Sequence, residues 1–238
     1  MQRTITLLDD EQIIFPPVDT ALKEPNGLLA VGGNLSVSTL IDAYRHGIFP
    51  WFNDDDPILW WSPAPRMVFK PSELHISRSL RRLLRKSHYR VTFDHAFSSV
   101  IHQCASPRSE EEGTWITRDM EEAYIRFHDA GHAHSVEVWE EEDLVGGLYG
   151  VAIGSIFFGE SMFSLRSNTS KIAVTALATR LQQWGFQLID CQQHTRHLES
   201  LGAKVISRKD FVEQLNRYCS IQPSGANWEQ SWQWNDHS

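Results

Sequence analysis

Three strand-like segments follow one another with no helix between them: Ser135–Glu140, Leu144–Tyr149 and Ser155–Phe163, the first two joined by the acidic turn Glu141-Glu142-Asp143. Segments linked so tightly pair with each other as an antiparallel meander. Such a sheet has an apolar face to bury, and helical patterns stand on both sides of it. Before it, His95–Gln103 and Thr117–Ala130 read as helices, the second with Met120, Ala123, Tyr124 and Phe127 inward and Gly131 as its stop. After it come a helix over Thr169–Trp184, with Ile172, Val174, Leu177 and Leu181 apolar, and a strand over Phe186–Cys191. A helix over Thr195–Leu201, a strand over Lys204–Ser207 and a helix over Asp210–Tyr218 complete the series. With a short strand at Arg90–Asp94, the order predicts an α+β fold with a mixed sheet, because the last strands need crossovers and the first three do not.

Upstream the pattern differs. Residues 1–35 carry turn formers, Phe15-Pro16-Pro17, Glu24-Pro25-Asn26-Gly27 and Gly32-Gly33-Asn34, and read as short strands and loops. Ser36–His46 predicts one short helix, with a capping serine, Leu40, Ile41 and Tyr44 at helical spacing, and Gly47 as the stop. Ile48-Phe49-Pro50-Trp51-Phe52 and Ile58-Leu59-Trp60-Trp61 are too aromatic for a solvated loop. They read either as core or as rings lining a pocket for something flat. The tail carries Trp228, Trp232 and Trp234 and is expected to dock back on the body.

The net charge of −8 disfavours a general nucleic-acid binder, but its distribution does not. Between Arg66 and Arg90 there are eight basic residues, Arg66, Lys70, Arg78, Arg81, Arg82, Arg85, Lys86 and Arg90, against the single acid Glu73. That segment is locally +7, so the remainder carries −15. Over 77–86 the arginines recur at i, i+3, i+4 and i+7 opposite Leu80, Leu83 and Leu84, the signature of a basic amphipathic helix. Cations of one sign forgo the usual i,i+4 pairing, which favours a polyanion contact at Arg78, Arg81, Arg82, Arg85 and Lys86.

Three cysteines, Cys104, Cys191 and Cys219, form no disulfide framework or zinc ribbon. The first residues lack a signal-peptide core and no apolar run reaches membrane-spanning length, so a reducing cytoplasm and no membrane are expected. His132-x-His134 and His194-x-x-His197 lack a matching acid or thiolate partner in a recognisable frame, so no metal site is expected.

Three places offer chemistry. The strand Phe186–Cys191 ends in polar residues, where ligands gather in sheets with crossover helices, and Asp190 is its candidate carboxylate. A Cys191–His194 nucleophile is the sharper alternative to an inert buried thiol. Glu160 stands among Phe157, Phe158, Met162 and Phe163, an apolar wall with one charge, suited to a ligand with greasy and cationic parts. Arg166-Ser-Asn-Thr-Ser170-Lys171 opens the long helix with capping residues but puts a cation at its positive end, which reads either as an anion site or as a solvated lysine.

Taken together, nine segments are specific: Glu24-Pro-Asn-Gly-Leu-Leu-Ala-Val-Gly-Gly-Asn-Leu-Ser36, Gly47-Ile-Phe-Pro-Trp-Phe52, Leu59-Trp-Trp-Ser-Pro-Ala-Pro-Arg66, Leu74-His-Ile-Ser-Arg-Ser79, Gly113-Thr-Trp-Ile-Thr117, Gly131-His-Ala-His-Ser-Val-Glu137, Gly146-Gly-Leu-Tyr-Gly-Val151, Gly159-Glu-Ser-Met-Phe-Ser164 and Asp190-Cys-Gln192. Over about residues 10–215 the chain resembles the leucyl/phenylalanyl-tRNA–protein transferase family. The resemblance implies a GNAT-like acyltransferase domain over 66–238, preceded by a small N-terminal α/β domain over 1–65. It implies transfer of Leu or Phe, and less well Met, from leucyl-tRNA or phenylalanyl-tRNA to proteins beginning with Arg or Lys, marking them for N-degron proteolysis. A cytoplasmic monomer with no cofactor is expected.

By motif position, the resemblance implies that Trp51 and Trp115 flank the terminal adenosine of the tRNA. Leu148, where family members often carry Met, would form the side-chain pocket with Phe157, Met162, Val174, Leu177 and Ile189. Glu160, with Asp190, would receive the cationic N-terminus, and Gln192 would sit at the reacting ester. Asp190 is expected to orient Gln192, whose carbonyl would accept a hydrogen bond from the attacking amine. A GNAT-type enzyme using an acyl-CoA would share the fold, but the missing pyrophosphate-binding glycines and the basic helix argue against it. A non-catalytic tRNA-binding module would leave the acid-containing apolar wall unexplained.

Overall fold

The computed structural model describes residues 5–86, 88–106 and 116–234. The chain opens with β1 (Thr6–Leu8), β2 (Leu28–Gly32), α1 (Val37–Arg45), β3 (Phe49–Pro50) and β4 (Leu59–Trp61). These strands make a four-stranded sheet in the order β1-β2-β4-β3, with β1 parallel to β2 and the other pairs antiparallel. Ser36 caps α1 by accepting from the Thr39 N–H. The aromatic segment divides between the two readings. Trp60 is fully buried and donates Nε1–H to Gly32 O at 2.8 Å, while Trp51 stays 39% exposed against Trp61, with centroids 5.3 Å apart.

Next come β5 (Arg66–Phe69), α2 (Arg78–Lys86), β6 (Arg90–Phe93), α3 (Phe97–Ala105), α4 (Arg118–Asp129), β7 (Ala133–Glu140), β8 (Asp143–Ile153), β9 (Ile156–Ser164) and α5 (Thr169–Gln183). The chain continues with β10 (Leu188–Gln192), α6 (Arg196–Ser200), β11 (Lys204–Ile206), α7 (Arg208–Tyr218) and β12 (Gln230–Trp232). An eight-stranded sheet runs β11-β5-β10-β9-β8-β7-β6-β12. β7, β8 and β9 form the expected antiparallel meander, β10 joins β9 in parallel, and β5 inserts antiparallel between β10 and β11. The fold is therefore α+β with a mixed sheet.

Two cores cover the faces of this sheet. On one face, α3 and α4 pack with α1 and the smaller sheet, joining Leu40, Tyr44, Ile48 and Trp60 to Tyr124, Phe127 and Phe158. On the other, α5 packs on β7, β8 and β9, with α2 beside it through Leu80 and Leu84. Besides the apolar Ile172, Val174, Leu177 and Leu181 read from the sequence, Ala173, Thr175, Ala176, Ala178 and Thr179 of α5 are also buried, so the helix is enclosed nearly all round. Gly146 permits the approach of α5, because a Cβ there would lie 2.3 Å from Thr169 Oγ1. Asn168, expected as a cap, makes no side-chain capping bond; Thr169 Oγ1 instead donates to Val145 O at 3.1 Å.

Two readings of charge change with the fold. Arg66, counted in the charge of the basic segment, begins an inward strand and is 1% exposed. Arg90 lies over the Trp139 ring at 5.0 Å. The exposed cations of that segment concentrate on α2, where Arg78, Arg81, Arg82, Arg85 and Lys86 line one shallow depression.

Candidate active site

The site grows from two neighbouring irregularities in the large sheet. On β9, Gly159 pairs with Gly150 and Ser161 with Tyr149, which leaves Glu160 as an extra residue. On β10, Asp190 pairs with Val68 and Gln192 with Met67, which leaves Cys191 extra. Bulges bend a strand and re-aim its side chains, and non-glycine residues in the left-handed region gather at functional sites. Gln192 has φ of 60°. Because Asp190 is in parallel register with Phe158, two further residues along each strand bring Gln192 beside Glu160.

The polar contacts form one chain. Gln192 Nε2 donates to Glu160 Oε1 at 2.8 Å, and the Gln192 backbone N–H donates to Asp190 Oδ1 at 2.8 Å. Asp190 is fully buried, and Arg66 grips it through Nε at 2.9 and 3.1 Å and through Nη2 at 2.7 Å. The Phe49 and Phe211 rings cover that guanidinium at 5.0 and 4.7 Å. The charge of Asp190 is thus met inside the protein by Arg66; Asp190 borders only the larger of two adjoining cavities, whereas Glu160 lines both. Asp190 holds Gln192 by its backbone.

Tyr124 Oη donates to Glu160 Oε2 at 3.3 Å, and the Tyr44 and Tyr124 hydroxyls are hydrogen-bonded to each other. Burial raises both phenols well above their ordinary range, so they remain protonated donors. Glu160 is raised from 4.5 to about 7, first by burial and then by the Asp190 charge. Hydrogen bonds from Tyr44 and Tyr124 and the Arg66 charge pull it partway back. A carboxyl poised near neutrality can accept and return a proton at physiological pH.

Two cavities meet at Glu160. The larger, about 430 Å³, is lined by Leu148, Phe157, Met162, Val174, Leu177 and Ile189, with Glu160 among its polar lining residues. All six apolar positions implied by the resemblance line this one cavity. The smaller, about 230 Å³, is lined by Phe49, Trp51 and Gln192 and shares Gly159, Glu160, Cys191, Gln193 and Thr195 with the first. Trp115 lies outside the described residues. The thiol alternative loses its basis, because burial pushes Cys191 up, away from thiolate, and His194 faces Glu199 at 3.4 Å.

The sequence marks Arg66 only as a cation of the basic segment and Tyr44 and Tyr124 only as helical positions, none of them as a site residue. Their signals were a cation opening the apolar run Met67-Val68-Phe69 and two hydroxyls on inward helical stripes, each of which needs a buried partner. Away from the site, Asp94, His128 and His134 bring ligating atoms within 4.8 Å of one another. Each already has a partner: His134 Nδ1 is 2.7 Å from Asp94 Oδ2, Asp94 Oδ1 accepts from Ser135 N–H, and His128 Nδ1 bonds Ala133 O.

Among the described residues no helix is long and apolar enough to cross a membrane. Of solved structures, a GCN5-related N-acetyltransferase from Kribbella flavida is similar with a TM-score of 0.36 and 11% identity, covering 69% of this chain and 58% of that one. Closer likenesses come from sequence. A leucyl/phenylalanyl-tRNA–protein transferase of Ectopseudomonas mendocina (strain ymp) is 58% identical over 94% of this chain and 99% of its own length. One of Pseudomonas syringae pv. syringae (strain B728a) is 58% identical over 94% of this chain and 97% of its own. The family model for leucyl/phenylalanyl-tRNA protein transferase matches residues 68–216, and that for the family's N-terminal domain matches 33–64. With both parts matched, the chain belongs to the leucyl/phenylalanyl-tRNA protein transferase family.

Proposed function

We propose that this chain moves Leu or Phe from aminoacyl-tRNA to the α-amine of a protein whose first residue is Arg or Lys. The observation that carries the reading is the position of Glu160. It stands where an apolar cavity, fit for the transferred side chain, meets a second cavity fronted by the exposed Trp51 ring, fit for the terminal adenosine.

The substrate ester is already activated, so the enzyme supplies mainly orientation and proton handling. An α-ammonium with a pKa of about 7.7–8.0 arrives mostly protonated at neutral pH. Glu160, at about 7, accepts one proton from it at little cost. The freed amine attacks the ester carbonyl, with the Gln192 carbonyl oxygen accepting one remaining N–H as positive charge develops on nitrogen. The C–O bond then breaks, the peptide bond remains, and the second proton passes from nitrogen to the departing ribose oxygen. Glu160 returns its proton to solvent, so the turnover releases one proton. Asp190 positions Gln192, and Arg66 neutralises Asp190 so that it does not compete for the ammonium.

Purified protein incubated with radiolabelled leucyl-tRNA and an Arg-initiated peptide gives labelled peptide; with acetyl-CoA in place of the tRNA no acetyl peptide forms. Acetyl transfer without leucyl transfer overturns the reading, and absence of both leaves only a binding role.

The α2 cations bind the tRNA backbone. Reversing Arg78, Arg81, Arg82 and Arg85 to Glu raises KM for aminoacyl-tRNA at least about ten-fold and leaves KM for the peptide unchanged. It also flattens the log–log salt dependence by about 0.9 for each phosphate that the helix no longer neutralises. An unaltered tRNA KM contradicts this role.

A further inference from the structure

Trp228, in the tail just before β12, is half-buried, with its indole parallel to the His134 ring at 3.8 Å between centroids and 6° between planes. His134 is held by Asp94 at 2.7 Å. Four more rings surround the indole: Trp184 at 4.8 Å, Phe157 at 6.0 Å, Phe186 at 6.1 Å and Phe93 at 6.4 Å. The tail is fastened beyond it by the pairing of β12 with β6 and by Arg180 Nη2 donating to Ser231 O at 3.2 Å.

Phe157 links this cluster to the site. It is fully buried, lines the larger cavity, and meets the indole at 30° between planes. Its ring also rests over Gly150, where a Cβ would lie 2.5 Å from Phe157 Cε1. A ring with backbone against one side and an indole behind it cannot retreat when a bulky group presses on it.

We propose that Trp228 is a positioning residue that fixes the depth of the apolar cavity through Phe157, and so limits the size of side chain the enzyme transfers. This rests on the reading of that cavity as the pocket for the transferred residue. Truncating Trp228 opens a void behind Phe157; the ring moves into it, the cavity deepens, and Leu fits it loosely where a larger side chain fills it.

The test uses one tRNA sequence charged in turn with Leu, Phe and Trp, so that tRNA contacts cancel, and compares kcat/KM for transfer to an Arg-initiated peptide. Trp228→Ala raises the Trp-to-Leu ratio by about ten-fold or more, on the scale of discrimination that small volume changes give in apolar pockets. KM for the peptide stays unchanged. Trp228→Phe, which keeps a ring behind Phe157 and guards against misfolding of the alanine variant, moves the ratio the same way by less. Phe157→Ala is the control on the pocket itself. If Phe157→Ala changes the ratio while both Trp228 variants leave it unchanged, the tail is structural only and the inference fails. If Phe157→Ala leaves it unchanged as well, the pocket reading fails too.

Discussion

Arg66→Ala destabilises the fold by about 3–5 kcal/mol, because it strands a carboxylate inside the protein. Arg66 and Asp190 are 1% and 0% exposed, so water cannot replace the missing partner. The guanidinium also fills the space between Phe49 on β3 and Phe211 on α7, so its removal loosens the packing between the two sheets as well as the ion pair. Urea unfolding reports this as a lower midpoint with little change in slope. Replacing both partners with apolar residues, as in Arg66→Met with Asp190→Leu, recovers much of the stability, since no charge is then buried. It does not recover activity, because the Gln192 N–H is deprived of the acceptor that holds the bulge. A double variant that is both stable and fully active would remove Asp190 from the mechanism.

Glu160→Gln lowers kcat/KM for the peptide by about 10²–10⁴-fold, the range expected for loss of a positioned proton acceptor. The amide oxygen still accepts from Gln192, and the amide NH2 can donate to the Tyr124 hydroxyl, so geometry is preserved while the proton site is removed. Stability moves the other way. A carboxyl raised from 4.5 to about 7 binds more protons in the folded state, so its contribution is lost as pH climbs through that interval. Above pH 7 the wild type carries a partly buried charge that the variant lacks, and the variant melts at the same or a higher temperature. Lower activity with undiminished stability is the mark of a functional compromise at one residue.

How far the site could be read in advance depends on whether its signals are local. The meander and its flanking helices are legible because periodicity over β7–β9, α4 and α5 is long; most observed ends fall within two residues of the expected ones, but β8 runs on to Ile153, four residues past the expected end at Tyr149. The six apolar residues of the larger cavity came from motif resemblance; geometry then placed them around one volume. β5 was not legible. It is four residues long, follows Pro63 and Pro65, begins with an arginine, and pairs with a strand more than a hundred residues away. Charge counting includes Arg66 in the basic segment without saying which way it faces, because composition carries no direction; only the pairing of β5 with β10 turns it inward. The Glu160–Tyr124–Tyr44 chain escaped for the same reason, since its members lie on β9, α4 and α1 and meet only after packing. The tail was expected to dock, but its place behind Phe157 depends on β12 finding the edge of β6.

The proposed role of Glu160 is to take the proton that frees the attacking amine. Single-turnover transfer of Leu from preformed leucyl-tRNA to an Arg-initiated peptide, measured across neutral pH for wild type and Glu160→Gln, tests it. The wild-type rate rises with the ionisation of Glu160 near 7, because the carboxylate then deprotonates the bound ammonium, ahead of a second ionisation at about 7.7–8.0 at which the peptide amine loses its proton unaided. The variant keeps only the second and is slower throughout. A variant that retains the rise near 7, or matches the wild-type rate there, would contradict the account.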